Sequence, residues 1–319
     1  NDELKFKNIY YKDEDKRFEL KSFKALGGAF AVYKIASEKK NITVSTATAG
    51  NHGRSVAWGA QRLGLKCKIF ISEFVSESRA EAMRNLDAEV IRVKGNYDNS
   101  LKECIEQSNK NNWEIVQDVS WEGYKEVPKL IMAGYTIMVK EIIDEINKNS
   151  ITHVFLQAGV GGMAAAMIAG FAKLSENIPQ FIIIEPENAD CVFQSIKNNT
   201  PTTVDIKKET VMGGMSCGDV SSIAWEILKN SANYCLTIPD EAISTAVALL
   251  AEKRLSNEKI IGGECAVPGV IALIGSFNNK EYLDKLKLNS ESNVLLFGCE
   301  GLTDDAMYQK LLNDGLQKI

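Results

Sequence analysis

The stretch His153-Val154-Phe155-Leu156-Gln157-Ala158-Gly159-Val160-Gly161-Gly162-Met163-Ala164 frames the whole chain. It opens as a short apolar run, turns on glycines and continues into an Ala-rich segment. That order is a strand, a tight turn and a helix. Glycines let a backbone approach an anion closely, and a helix N-terminus presents N–H groups and a partial positive charge. A phosphate site is the expected use, with close packing in a tight turn as the alternative. Gly159, Gly161 and Ala164 also satisfy G-x-G-x-x-G/A, and Glu185 ends the next strand about 20 residues on, where a dinucleotide site keeps its ribose-binding acid. On this loop alone an NAD site is an open reading.

The alternation extends in both directions. Short β-branched or aromatic runs at 9–12, 42–46, 67–71, 89–93, 113–116, 153–156, 181–185, 234–237 and 293–297 read as strands. Amphipathic segments starting near Gly28, His52, Ser76, Tyr97, Glu126, Gly162, Asp190, Pro239, Pro268 and Thr303 read as helices. This spacing predicts an α/β protein with mainly parallel sheets. Ligands of such sheets sit outside the carboxyl ends of the strands, so the loops after strands are where chemistry is sought.

Composition narrows the class. Of 319 residues, 45% are hydrophobic and 25% charged, which excludes a disordered chain and leaves room for two domains. A net charge of −5 argues against a nucleic-acid or membrane-surface partner. No uninterrupted apolar run reaches about 18 residues, the length a membrane span needs. The start, Asn1-Asp2-Glu3-Leu4-Lys5, has no signal-peptide core, and seven cysteines lack CxxC spacing. A reduced, cytoplasmic protein is expected. Two histidines, His52 and His153, leave little for a metal site, and none is expected.

Two further loops carry chemistry. Ser45-Thr46-Ala47-Thr48-Ala49-Gly50-Asn51-His52-Gly53 is small and polar, so a planar ligand could approach it, or it is a capped turn with a structural Asn. Ser22-Phe23-Lys24-Ala25-Leu26-Gly27-Gly28-Ala29 places a lysine ahead of an apolar, glycine-containing helix. A cation at a helix N-terminus opposes the macrodipole. Lys24 is therefore a candidate for Schiff-base work, or an exposed surface lysine.

Together these loops make a lysine, an Asn-bearing turn and a phosphate cradle, the constellation of pyridoxal phosphate (PLP) enzymes. Their order resembles the tryptophan-synthase-like, fold type II group. The motifs Phe23-Lys24-Ala25-Leu26-Gly27-Gly28, Gly50-Asn51-His52-Gly53-Arg54, Asn96-Tyr97-Asp98, Val116-Gln117-Asp118, Trp121-Glu122-Gly123-Tyr124 and Glu300-Gly301 with Thr303-Asp304 resemble diaminopropionate ammonia-lyases over nearly the whole chain. The resemblance implies a large and a small open parallel-sheet domain with the cofactor between them. We place these at 1–35 with 144–319, and at 36–143.

The resemblance also implies roles. Lys24 matches the lysine that binds the cofactor covalently. Asn51 matches the asparagine at the ring 3′ oxygen. Gly159, Val160, Gly161 and Gly162 match the phosphate cradle, and Cys299 the neutral partner of the pyridine nitrogen. Asp118 matches the acidic base associated with the L isomer. The position of the D-isomer base is Ala49 here, as in the loops of serine/threonine dehydratases. That departure predicts preference for the L isomer. Ala49, Gly50, His52, Trp121, Tyr124 and Glu264 are weaker candidates for substrate contact. The expected activity is elimination of ammonia from 2,3-diaminopropionate by a homodimer. A hydroxy-amino-acid dehydratase and a catalytically silent relative stand as alternatives.

Overall fold

The computed structural model describes residues 6–48, 50–146 and 150–319. In chain order the elements are β1 (Asn8–Asp13), α1 (Lys24–Glu38), β2 (Thr43–Ala47), α2 (Asn51–Arg62), β3 (Lys66–Ser72), α3 (Glu77–Arg84), β4 (Ala88–Val93), α4 (Tyr97–Asn111), β5 (Glu114–Ile115), α5 (Glu126–Tyr135) and α6 (Ile137–Glu145). Then come β6 (His153–Gln157), α7 (Gly162–Leu174), β7 (Gln180–Pro186), α8 (Cys191–Asn198), α9 (Ser222–Ser231), β8 (Tyr234–Ile238), α10 (Ile243–Ala251), α11 (Pro268–Phe277), α12 (Lys280–Leu286), β9 (Asn293–Gly298) and α13 (Asp305–Leu316). They fall into two compact units, Arg17–Tyr135 and the described residues of Asn1–Lys16 with Thr136–Ile319.

The Arg17–Tyr135 unit holds a parallel sheet in the order β4-β3-β2-β5. β2 is central and buried over Val44–Ala47, with Val44 facing Cys67 on one side and Glu114 on the other. Ala47, Phe70 and Cys104 form a core that Ile91, Val93, Leu101 and Trp113 extend. α4 starts in a capping box, Asn96 with Asn99, and stops at Asn112 in the left-handed region. α1 lies against α2 and α5. Gly27 and Gly28 permit that approach: a Cβ on Gly27 would stand 2.3 Å from the Tyr135 ring, and one on Gly28 2.4 Å from Ser55 Oγ.

The larger unit holds a parallel sheet in the order β1-β9-β6-β7-β8. β6 and β9 are buried at every position, and β7 from Phe181 onward. Their near-continuous apolar runs suit parallel strands covered on both faces. Pro268 opens α11, where its missing N–H costs no helical bond.

Each expected strand is present. The helix expected near Gly28 starts earlier, at Lys24, because its glycines are packing points inside the helix and not its boundary. The segment from Pro239 forms a 3-10 turn, Asp240–Ala242, before α10 begins. α6, α9 and α12 had not been read as separate helices. By contacts, residues 17–35 group with the smaller unit, since α1 packs on α2 and α5. The division expected from the sequence had assigned them to the larger part.

Candidate active site

The Arg17–Tyr135 unit carries Lys24, Asn51 and Asp118. Lys24 is the first residue of α1, and Phe23 ahead of it supplies no side-chain cap. The Lys24 ammonium donates to Asp118 Oδ2. It lies 5.4 Å from the Phe23 ring centroid and 5.9 Å from that of Tyr135. Burial pushes the Asp118 carboxyl up, but neighbouring His52 and Lys24, with the hydrogen bond from Lys24, hold it well below the usual carboxylate range. Burial also lowers the His52 imidazole, so at neutral pH the lysine is the main countercharge. The pair is therefore a lysine at the wrong end of a helix macrodipole, held by an ionised carboxylate.

Asp118 is positioned by its neighbours. Gln117 Oε1 accepts from Thr46 Oγ1 at 2.7 Å and from the Ala47 N–H at 3.1 Å. Its Nε2 donates to the Ala47 carbonyl at 3.0 Å and to the Tyr97 hydroxyl at 2.9 Å. The Tyr124 hydroxyl accepts the Gln117 N–H at 2.9 Å and donates to the Ile115 carbonyl at 2.8 Å. Tyr124 thus clamps the segment that carries Asp118, and its ring stacks on Trp121 with centroids 4.2 Å apart. Asn51 opens α2 and accepts from Arg54 at 3.5 Å. A Cβ on Gly50 would meet nothing within 4 Å, so the backbone there is open to a ligand. Ala49 lies outside the described residues.

The larger unit carries the glycine loop. β6 leads through Ala158 into Gly159–Gly162, and α7 starts at Gly162 without a side-chain cap. Gly161 has φ +87°, and a Cβ on it would stand 2.7 Å from Leu228 Cδ1. A Cβ on Gly159 would stand 3.0 Å from Cys217 Sγ. Cys299 follows β9, and its thiol donates to the Cys265 carbonyl at 3.0 Å. Gln157 Nε2 donates to that carbonyl at 2.9 Å and to the Phe297 carbonyl at 2.7 Å, tying the ends of β6 and β9 together. Glu264 is buried beside Cys265 and Glu300, with ligand-type atoms of all three within 4.8 Å. Glu300 Oε1 accepts the Cys265 N–H at 3.1 Å.

Glu185 corrects the dinucleotide reading. It is fully buried, and its two carboxylate oxygens accept the N–H groups of Val192 at 2.9 Å and Phe193 at 2.7 Å. Both oxygens hold the first turn of α8, so neither is offered to a ribose. The loop itself suits a phosphate. It is short of side chains, partly exposed at Gly159, Val160 and Gly162, and ends at an uncapped helix N-terminus. Within this unit, a glycine loop at a free helix N-terminus and the buried Cys299 thiol suit the phosphate and ring nitrogen of pyridoxal phosphate.

Comparison with known proteins agrees. Residues 1–299 match the family model described as pyridoxal-phosphate dependent enzyme. The diaminopropionate ammonia-lyase of Escherichia coli K12 is 34% identical over 333 residues, covering 97% of this chain and 84% of the relative. The chain belongs to the diaminopropionate ammonia-lyase family of pyridoxal-phosphate dependent enzymes. The E. coli lyase solved with an aminoacrylate-PLP azomethine reaction intermediate superposes with a TM-score of 0.90 at 33% identity, covering 98% of this chain and 85% of that one. Maize serine racemase, at 16% identity and a TM-score of 0.82, shares the fold over 99% of this chain and 90% of its own. This member of the family is thus a fold type II enzyme whose cofactor is pyridoxal 5′-phosphate. Among the described residues, no helix is long and apolar enough to cross a membrane.

Gln117, Gln157 and Tyr135 escaped the sequence reading as site residues. Gln117 stands inside the quoted Val116-Gln117-Asp118 motif, which was the available signal. Gln157 stands inside the quoted strand-to-helix stretch, and the contacts that it and Tyr135 make depend on strands and helices far away in sequence.

Proposed function

We propose that the protein eliminates ammonia from 2,3-diaminopropionate, L isomer preferred, and yields pyruvate and a second ammonia. The observation that carries this reading is the Lys24–Asp118 pair, in a chain of this family. Lys24, Asn51, Gly159, Val160, Gly161, Gly162 and Cys299 would hold the cofactor. When bound, it supplies a sink for the electron pair left on the substrate's Cα.

The chain's own residues supply the rest. Asp118 is ionised and meets the lysine Nζ, so it is placed to take the Cα proton. Lys24 in its ammonium form would donate a proton to the departing β-amine and be left as the neutral amine. The amides at the start of α7 would orient the phosphate, and Asn51 would hold the ring hydroxyl. Cys299 would offer the ring nitrogen a neutral thiol in place of a carboxylate, which would favour elimination over transamination. Gly50 gives the substrate open backbone to approach, with Ala49, His52, Trp121, Tyr124 and Glu264 as further candidate contacts. The aminoacrylate released takes up water to give pyruvate and ammonia.

Ala49 favours a second reading, dehydration of serine or threonine. The catabolic L-threonine dehydratase of Staphylococcus aureus is 26% identical over 305 residues, covering 94% of this chain and 83% of the relative. Ammonia release from L-diaminopropionate, L-serine and L-threonine separates the two: a lyase prefers the diamine, a dehydratase the hydroxy acids. We take the active form to be a cytoplasmic homodimer that acts on a small amino acid.

A further inference from the structure

The chain has two histidines, and they differ in one respect. His153 has both ring nitrogens partnered: Nε2 lies 2.9 Å from the Leu286 carbonyl and Nδ1 2.8 Å from the Thr152 hydroxyl. His52 has one. Its Nε2 lies 2.8 Å from the Val116 carbonyl. A carbonyl only accepts, so Nε2 carries the hydrogen and the neutral ring keeps its lone pair on Nδ1. That Nδ1 is buried without a hydrogen-bond partner among the described residues. A buried acceptor left unsatisfied is destabilising, so its persistence asks for a use.

The direction of the lone pair supplies one. Nδ1 stands 3.8 Å from Asp118 Oδ2, the oxygen that holds the Lys24 ammonium. Two acceptors with no hydrogen between them stay beyond hydrogen-bond range, as these do. The situation changes once Asp118 carries a proton. Its O–H then needs an acceptor, and the lone pair of Nδ1 lies within a shift of about 1 Å of hydrogen-bond distance.

We propose that His52 is a positioning residue for the base: its Nδ1 accepts the O–H of Asp118 only while Asp118 holds the proton taken from the substrate. This rests on the reading of Asp118 as the base and deepens it. In the step, the Cα–H bond breaks and an O–H bond forms on Asp118. The electron pair stays with the substrate carbon. The new O–H donates to Nδ1 without transfer, and His52 remains neutral. The acceptor therefore works in the proton-abstraction step and not in substrate binding. The hydrogen bond from Nε2 to Val116 fixes the tautomer that makes this possible.

Two measurements test it. The first needs no substrate. The holoenzyme is labelled with 15N-histidine, and its two rings are assigned with His153→Gln. His52 is expected as the Nε2–H tautomer, with an Nδ1 resonance that moves in Asp118→Asn while His153 stays still. An Nδ1 resonance indifferent to Asp118→Asn, or a protonated Nδ1 at neutral pH, overturns the proposal. The second uses His52→Gln, which keeps a donor for Val116 and deletes the acceptor at Asp118. With L-2,3-diaminopropionate, kcat is expected to fall roughly tenfold, with KM within about twofold. The isotope effect with Cα-deuterated substrate is expected to rise as abstraction becomes limiting. His52→Asn, whose amide oxygen can replace Nδ1, should recover part of kcat. Unchanged kcat and isotope effect in His52→Gln overturn the proposal. If the wild type does not turn over the diamine, the substrate reading fails and the 15N spectra alone decide the role of His52.

Discussion

Lys24, the first residue of α1, and Asp118, just beyond β5, are ion-paired although 94 positions separate them. Gln117 and Tyr124 hold the carboxylate's segment against β2, and Gly27 and Gly28 let α1 sit close enough to meet it. The pair is thus a product of packing within the Arg17–Tyr135 unit.

If Asp118 is the base, Asp118→Asn removes the proton acceptor but leaves Lys24 in place. Turnover of L-diaminopropionate should fall by about two to four orders of magnitude. The absorption spectrum of the bound cofactor should persist. Steady-state kinetics beside an absorption scan check both, and full activity removes Asp118 from the mechanism.

Tyr124→Phe deletes a hydroxyl that accepts from Gln117 and donates to Ile115. Both backbone groups lose a partner. We expect a loss of about 1–3 kcal/mol in urea unfolding. Activity should drop as well, because the clamped segment carries Asp118. A ring that merely lined the substrate pocket would change KM and leave stability alone.

Gly161→Ala puts a side chain at φ +87° and 2.7 Å from Leu228 Cδ1. The backbone strain alone is worth about 1–3 kcal/mol. The variant should unfold at lower urea and lose pyridoxal phosphate more readily on dialysis, since the strained turn is the expected phosphate cradle. Native stability with native cofactor retention would contradict that role.

Burial pushes the Glu185 carboxyl up to about 8, against the amides of Val192 and Phe193 that lower it. In the unfolded chain the same group titrates at its ordinary 4.5. Below that value both states are protonated, and the contribution to stability is complete. As pH rises toward 8 the unfolded state ionises first, so stability is lost, by at most about 1.4 kcal/mol per pH unit. Glu185→Gln should flatten this slope in urea unfolding between pH 4.5 and 8. A wild-type slope that the variant reproduces would assign the effect elsewhere.

Much of this fold is written locally. β6, β7 and β9 read as strands because their apolar runs are short and bounded by turns. α6 did not, because α5 ends at Tyr135 and α6 starts at Ile137, with only Thr136 between them, itself in the right-handed helical region. The start of α1 was misplaced because Gly27 and Gly28 look like a boundary when only α2 and α5 explain them. The site divides in the same way. Lys24, Asn51 and the glycine loop are legible as motifs. Glu185 could pass for a ribose-binding acid because α8, which uses both its oxygens, is invisible from the strand alone. The unpartnered Nδ1 of His52 is tertiary too: it depends on Val116 and Asp118 arriving together.

The most direct test of the account is pyruvate formation by the cofactor-loaded protein from L-2,3-diaminopropionate, with the D isomer run beside it. Pyruvate from L and little from D is the predicted result, with Asp118 as base and Ala49 in the place of the second acid. No pyruvate from either isomer would contradict the elimination itself, and equal rates would contradict the assignment of Asp118 and Ala49.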